Sequence, residues 1–235
     1  MKLLLSCSNK LARYLDLNLP QQGSAQAKDI GKQRLHSDAD TFAWQCHLVE
    51  NSGSGSSCSL IAVEAHSRYC IIIPLTLQLA RDDLIQQLNY RWSTEMAMFI
   101  LDDPEAPIED IEELADALLE EITGIEMTRN TDLSISGHIT DIKSWIQNYC
   151  QQHELHILSD RHSVSLAMHL NELQKTVTDP TGAKHRFVPL PRFIDTGLMM
   201  LEEDDETEAP QSQPPQSTQT ATVINLADYR RKVGL

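Results

Sequence analysis

An α+β fold is what this chain predicts: a small, mostly antiparallel sheet packed against several helices, followed by a disordered acidic C-terminal linker. Three observations carry that expectation. Trp44–Glu50, Cys58–Glu64 and Arg68–Ile73 are short runs rich in β-branched and aromatic residues, joined by connections too short for parallel crossovers. Residues 81–101, 108–122 and 137–151 then carry apolar side chains at the helical period. Over residues 202–221 the apolar pattern stops, and acids, prolines and glutamines replace it, before Val223–Lys232 regains pattern.

Taken in order, Lys2–Cys7 reads as a strand and Asn9–Leu15 as a helical turn, with Leu11 and Leu15 on one face. Residues 20–40 are polar and irregular, as a loop would be. Phe42, Trp44, Cys46 and Leu48 alternate along the second strand over 42–50. Asn51–Ser57 is a serine- and glycine-rich hairpin connector. Ser59–Val63 and Tyr69–Ile73 complete an antiparallel meander, which Pro74 closes.

Leu84, Ile85, Leu88, Trp92, Met96, Phe99 and Ile100 form the stripe of a long helix, broken by Pro104 and Pro107. Pro107 suits the first turn of the next helix, which lines up Ile111, Leu114, Leu118 and Ile122 and stops at Gly124. Ile125–Thr131 reads as a strand. Ser136 is placed to cap a helix from Gly137 to Cys150, whose stripe is Ile139, Ile142, Trp145, Ile146 and Tyr149. Leu155–Leu158 is strand-like, Ser163–Val177 helical and Arg186–Ile194 extended. Trp44, Trp92 and Trp145 fall on apolar stripes and are expected in the core. The domain plan is an α+β domain over 1–150, a smaller α/β extension over 151–200, a disordered linker over 201–221 and a short motif over 222–235.

The net charge of −15 is concentrated rather than spread. Residues 102–126 hold eleven carboxylates and no lysine or arginine, and residues 202–208 hold six more. The remaining 17 acids face 19 bases, so the rest of the chain is near neutral. Both acidic segments repel nucleic acid, whose binding depends on neutralised phosphates. Five cysteines, Cys7, Cys46, Cys58, Cys70 and Cys150, are an odd number, and most lie in strand-like runs. They read as free thiols of a cytoplasmic protein. The apolar run before Cys7 is too short for a lipoprotein signal, and no stretch is long enough to span a membrane.

Four segments together resemble an uncharacterised bacterial family, known only as a domain of unknown function. They are Leu3–Leu15, Phe42–Leu48 with its Trp-x-x-x-Leu strand, Ser67–Pro74, and Thr128–Asp141. The last keeps Thr128, Asp132, Ser134, Gly137 and Asp141 of the family pattern, with Arg129 for lysine. Leu133 and Thr140 stand where the family has arginine and asparagine. The resemblance spans about residues 1–150 and implies a shared fold but no activity.

No chemistry-bearing motif stands out. His153 and His156, with His47, His66, His138, His162 and His169, lack the spacing of a metal site. Ser134, Ser136, His138 and Asp141 supply the residue types of a nucleophile triad without a nucleophile elbow. Gly53 and Gly55 precede a strand rather than a helix, so no phosphate loop is expected. No catalytic residue, cofactor or metal is assigned. The feature with most functional content is the acidic helix: Glu109, Glu112, Glu113, Asp116 and Glu120 have no lysine partners at i+4. They suit a basic protein partner, or the chain's own Tyr229, Arg230, Arg231 and Lys232. The expectation is a non-catalytic protein-interaction or regulatory module. The alternatives are a hydrolase or nucleic-acid-processing enzyme using residues 128–141, and an antitoxin-like acidic inhibitor.

Overall fold

A computed structural model describes residues 1–20, 34–51, 57–75, 79–102, 110–129, 132–178, 181–201 and 224–225. Beyond Leu201 the expected linker lies outside the described residues, as do Pro104, Pro107, Gly53, Gly55 and all of the C-terminal motif except Ile224 and Asn225.

The architecture is α+β in three layers, with a mixed sheet between two sets of helices. The strands are β1 (Lys2–Cys7), β2 (Thr41–Glu50), β3 (Cys58–Glu64), β4 (Cys70–Leu75), β5 (Gly124–Arg129) and β8 (Ile224–Asn225), in the order β4-β3-β2-β1-β5-β8. β2, β3 and β4 form the antiparallel meander, while β1 lies parallel to both β2 and β5. Leu5 sits level with Trp44 on one side and Met127 on the other. A strand with both faces covered needs no polar alternation, which is why β1 reads Leu-Leu-Leu and is buried from Leu3 to Cys7.

The pleat divides the strand side chains between two cores. Leu3, Leu5, Phe42, Trp44, Leu60, Ile71 and Ile73 point to one, with α1 (Asn9–Tyr14), α2 (Arg81–Leu101), α3 (Ile111–Glu120) and α6 (Pro189–Leu201) packed over them. Leu4, Ala43, Ile61, Val63 and Ile72 point to the other, under α4 (Leu133–Gln152) and α5 (Asp160–Glu172). A hairpin of β6 (Lys175–Thr178) and β7 (Lys184–Phe187) stands apart from the main sheet.

α2 carries Asp82 and Asp83 in its first turn, favourable to the helix dipole, and buries Leu84, Leu88, Trp92 and Met96. Its ring system continues across the sheet: Phe42 meets Trp44 edge-on at 5.4 Å and Trp92 at 5.0 Å, and Tyr69 stacks on Phe193 at 3.9 Å. Gly197 lets α6 close on α2, since a Cβ there would stand 2.6 Å from Met96 Sδ.

Several sequence expectations are corrected. The helix expected at Gly137 starts at Leu133, because Asp132 caps it: its carboxylate accepts from the amides of Ser134 and Ile135. Ser136 is inside that helix and donates back to Asp132 O. α3 begins at Ile111 behind the cap Asp110. Leu155–Leu158 is not a strand. The helix expected over 163–177 ends at Glu172, and Lys175–Thr178 is strand β6. Arg186–Ile194 is extended only to Phe187, because Pro189 opens α6, a position where its missing N–H is no loss. Pro74 lies within β4 rather than after it. Trp145 is 43% exposed, at the shoulder of a stripe whose centre is Ile139, Ile142 and Ile146.

Candidate interaction surface

α3 is anchored by Leu114, Ala115 and Leu118, which are buried against the core. That anchoring turns Glu112, Glu113, Asp116 and Glu120 outward, and all four are exposed. Asp110 Oδ1 caps the helix, accepting from Glu112 N at 2.9 Å and Glu113 N at 3.0 Å. No basic residue lies in the last turn, where the dipole favours one, and the C-cap Glu121 is exposed as well. Among the described residues, no ion pair uses Glu112, Glu113 or Asp116. Glu109, Tyr229, Arg230 and Arg231 lie outside the described residues.

The C-terminal end of α3 leads through Ile122 and Thr123 into β5. One side of β5 is fully paired to β1. On its other side β8 matches only Gly124 with Asn225 and Ile125 with Ile224, leaving residues 126–129 without a strand neighbour there among the described residues. Thus an acidic helix face is contiguous with a sheet edge that, among the described residues, is paired by β8 at Gly124 and Ile125 and met by Pro20 O at Arg129 N.

The opposite edge, β4, is closed. Asn171 of α5 is 1% exposed; its Oδ1 accepts from Cys70 N at 2.8 Å and its Nδ2 donates to Cys70 O at 2.9 Å, so one amide side chain imitates a neighbouring strand. Arg91 Nη1 of α2 donates to Ile72 O, and Pro74 has no N–H to offer. Arg91 is held by Glu95 at 2.6 Å, and Glu95 Oε2 accepts from Tyr69 Oη at 2.9 Å. Burial, with Glu95 alongside, raises the Tyr69 hydroxyl well above the ordinary phenol range, so it stays a donor.

The polar 128–141 segment is brought against β2 and the β3–β4 turn. Asp132, 2% exposed, accepts from Leu35 N at 2.8 Å as well as capping α4. Gln45 Oε1 accepts from Asp132 N at 2.7 Å, and Gln45 Nε2 faces Asp132 O, Ser136 Oγ and His47 Nε2 at 3.2–3.3 Å. Burial lowers the His47 pKa to about 4, which keeps the imidazole neutral. Arg68, held at φ 62°, donates through Nη2 to Ser134 Oγ at 2.8 Å. Burial lowers the Arg68 pKa, while Asp132 and Glu64 favour its charge. The Glu64 carboxylate folds over its own turn, accepting from His66 N, Ser67 N and Ser67 Oγ, and from Ser37 Oγ across the turn.

This network binds β2, the β3–β4 turn and the α4 cap together, and it does not assemble a triad. His138 and Asp141 share a hollow of about 400 Å³ with Trp145, Asn148, Gln174 and Lys175, but Ser134 does not line it. The His138 pKa is lowered to about 4, by burial first and then by Arg68 and Lys175. Ser134 Oγ is engaged by Arg68, and Ser136 Oγ donates to a backbone carbonyl. Sequence reasoning missed the roles of Gln45, Arg68, Arg91 and Asn171. Only the burial of polar types inside apolar runs could have signalled them.

Among the described residues, no group of three or more His, Cys, Asp or Glu could hold a metal ion, and no helix is long and apolar enough to cross a membrane. The five cysteines are free, and burial pushes the Cys7 and Cys70 thiols up to about 12. No protein-family model, curated protein or solved structure matches this chain.

Proposed function

We propose that this chain is a non-catalytic, cytoplasmic protein-interaction module whose recognition surface is the exposed acidic face of α3 together with the adjoining edge of β5. The partner is a basic, extended protein segment. It would pair its backbone with β5 and set lysine or arginine side chains against α3, a mode of strand addition in which the main chain gives affinity and the side chains give specificity. The carrying observation is the contiguity of the two features: α3 exposes Glu112, Glu113, Asp116 and Glu120, and β5 begins where α3 ends, with two ladder partners on its outer side among the described residues. An acidic inhibitor of a basic protein would use the same surface. A hydrolytic reading is less well supported, since Ser134 stands outside the hollow that holds His138 and Asp141. The reading also sits with the resemblance to a bacterial family over about residues 1–150, which likewise implies no activity.

The test is site-specific photo-crosslinking in cells. A photoreactive residue at Asp116 or Glu126 should capture a distinct protein through a lysine- or arginine-rich peptide, and one at Gln152, on the other helical layer, should not. Identical adducts from all three positions, or none from the first two, would remove the proposal.

A further inference from the structure

We infer that the C-terminal segment of this chain is the resident occupant of that surface: it runs along β5 as a strap and lays Arg230, Arg231 and Lys232 on the acidic face of α3. The inference rests on the surface proposed above and names what fills it when no partner is bound.

The register of β8 is the first argument. Ile224 lies opposite Ile125 and Asn225 opposite Gly124, antiparallel. Chain direction is thereby fixed. Whatever follows Asn225 leaves past the N-terminal end of β5, and that is the end joined to the C-terminus of α3. The basic run of Arg230, Arg231 and Lys232 is therefore carried toward Glu120 and Glu121 rather than away from them.

Reach is the second argument. An extended strand advances about 3.3 Å per residue, so Arg230 to Lys232 lie within roughly 16–23 Å of Asn225. The helix α3 is itself roughly 15 Å long at about 1.5 Å per residue. The basic cluster can thus meet any of the outward carboxylates. Residues 202–223 separate α6 from β8, and a chain of that length spans about 25 Å in root-mean-square terms.

Charge is the third. The last turn of α3 has no basic side chain; one cation, the Met1 ammonium, donates to Glu121 O at 2.6 Å where the dipole favours positive charge, and Glu112, Glu113 and Asp116 take part in no ion pair among the described residues. The basic cluster supplies three more cations. The segment around β8 also carries the residue types of a strand, with Val223, Ile224 and Leu226 beside Asn225.

Tethering makes a weak contact sufficient. An occupant on a flexible linker has an effective concentration on the order of millimolar, so even a segment of millimolar affinity would be bound for a large part of the time. A ladder of two residues is also easily displaced. A partner with a longer basic strand would compete with the strap, and partner affinity would rise when the strap is disabled.

The experiment uses the full chain. Zero-length carbodiimide cross-linking of purified protein, as an equal mixture of isotope-labelled and unlabelled chains, is followed by mass spectrometry. Lys232 should link to carboxylates of α3, within one chain. Those links should disappear in Ile224→Pro, which puts a ring and a missing N–H into the two-residue ladder and alters the strap alone. In the unaltered chain they should fade as salt is raised, because exposed charges are screened. Hydrogen exchange at Gly124 and Ile125 should quicken in the same variant. The strap is overturned by α3 links that persist unchanged in Ile224→Pro, or by links from Lys232 spread evenly to remote acids such as Glu50. It is equally overturned by links between labelled and unlabelled chains, which would make a second copy the occupant. Because purified protein contains no partner, these outcomes are independent of the crosslinking in cells, and either reading can fail alone.

Discussion

β4 and β5 flank the sheet on opposite sides, and their outward backbones are treated differently. The outer side of β4 meets side chains from two helices: Asn171 satisfies both polar groups of Cys70, Arg91 reaches Ile72 O, and Pro74 removes a donor. Among the described residues the outer side of β5 has two ladder partners, both in β8, beside a helix whose Glu112, Glu113 and Asp116 take part in no ion pair. An open edge invites pairing with another chain, and natural sheets usually block such edges. This molecule blocks one with buried, helix-borne groups that cannot leave without unfolding. It covers the other with a tethered segment that can. The difference teaches where exchange is possible: at β5, and not at β4.

The closed edge is the place to expect large losses. Glu95→Ala strands the half-buried Arg91 guanidinium and the buried Tyr69 hydroxyl, and should lower the unfolding free energy by about 3 kcal/mol in urea titration. A loss below about 1 kcal/mol would mean that this network does not hold the edge. Acid acts on the interior between the edges. His47 and His138 have folded-state pKa values lowered to about 4 from 6.5, so the unfolded chain binds more protons in that window. Stability is therefore complete above pH 6.5 and falls as the pH is brought toward 4, by up to about 3 kcal/mol per imidazole. His47→Gln should flatten that slope in urea titrations repeated across pH.

Asn171→Leu keeps the shape but leaves the Cys70 N–H and C=O without partners. It should cost about 2 kcal/mol and speed exchange of the Cys70 amide. At the open edge the contrast should be plain: Ile224→Pro should change global stability by less than about 0.5 kcal/mol while abolishing the strap cross-links. A large loss of stability there would erase the distinction between the edges. The smallest effect is expected for Asp116→Asn. It should leave the unfolding midpoint where it was and weaken only the salt-dependent association with a basic segment, read by fluorescence anisotropy.

Local pattern made much of the scaffold legible. Lys2–Cys7, Cys58–Glu64 and Arg81–Leu101 follow directly from apolar runs and helical stripes. The acidic face of α3 was legible too, since burying Leu114 and Leu118 leaves the intervening acids nowhere to point but outward. The 150–200 region was misread in places because short elements compete. Pro189 suggested extended chain but serves as a helix opener, and Lys175–Thr178 is too short to outweigh a helical neighbour. The polar network was hidden for a different reason: Gln45 and Asp132 are 87 positions apart, and Arg68 and Ser134 are 66 apart.

By itself the sequence determined which side chains leave water, how the charge is distributed, and where most strands and helices run, because these depend on neighbours within a few residues. Only the tertiary structure decided that β1 lies between β2 and β5, that both sheet faces are covered, and that one edge is sealed by Asn171 and Arg91 while the other receives β8. Strand order and edge contacts join residues far apart in the chain. Periodicity records that a face is buried, and it carries no information about what buries it.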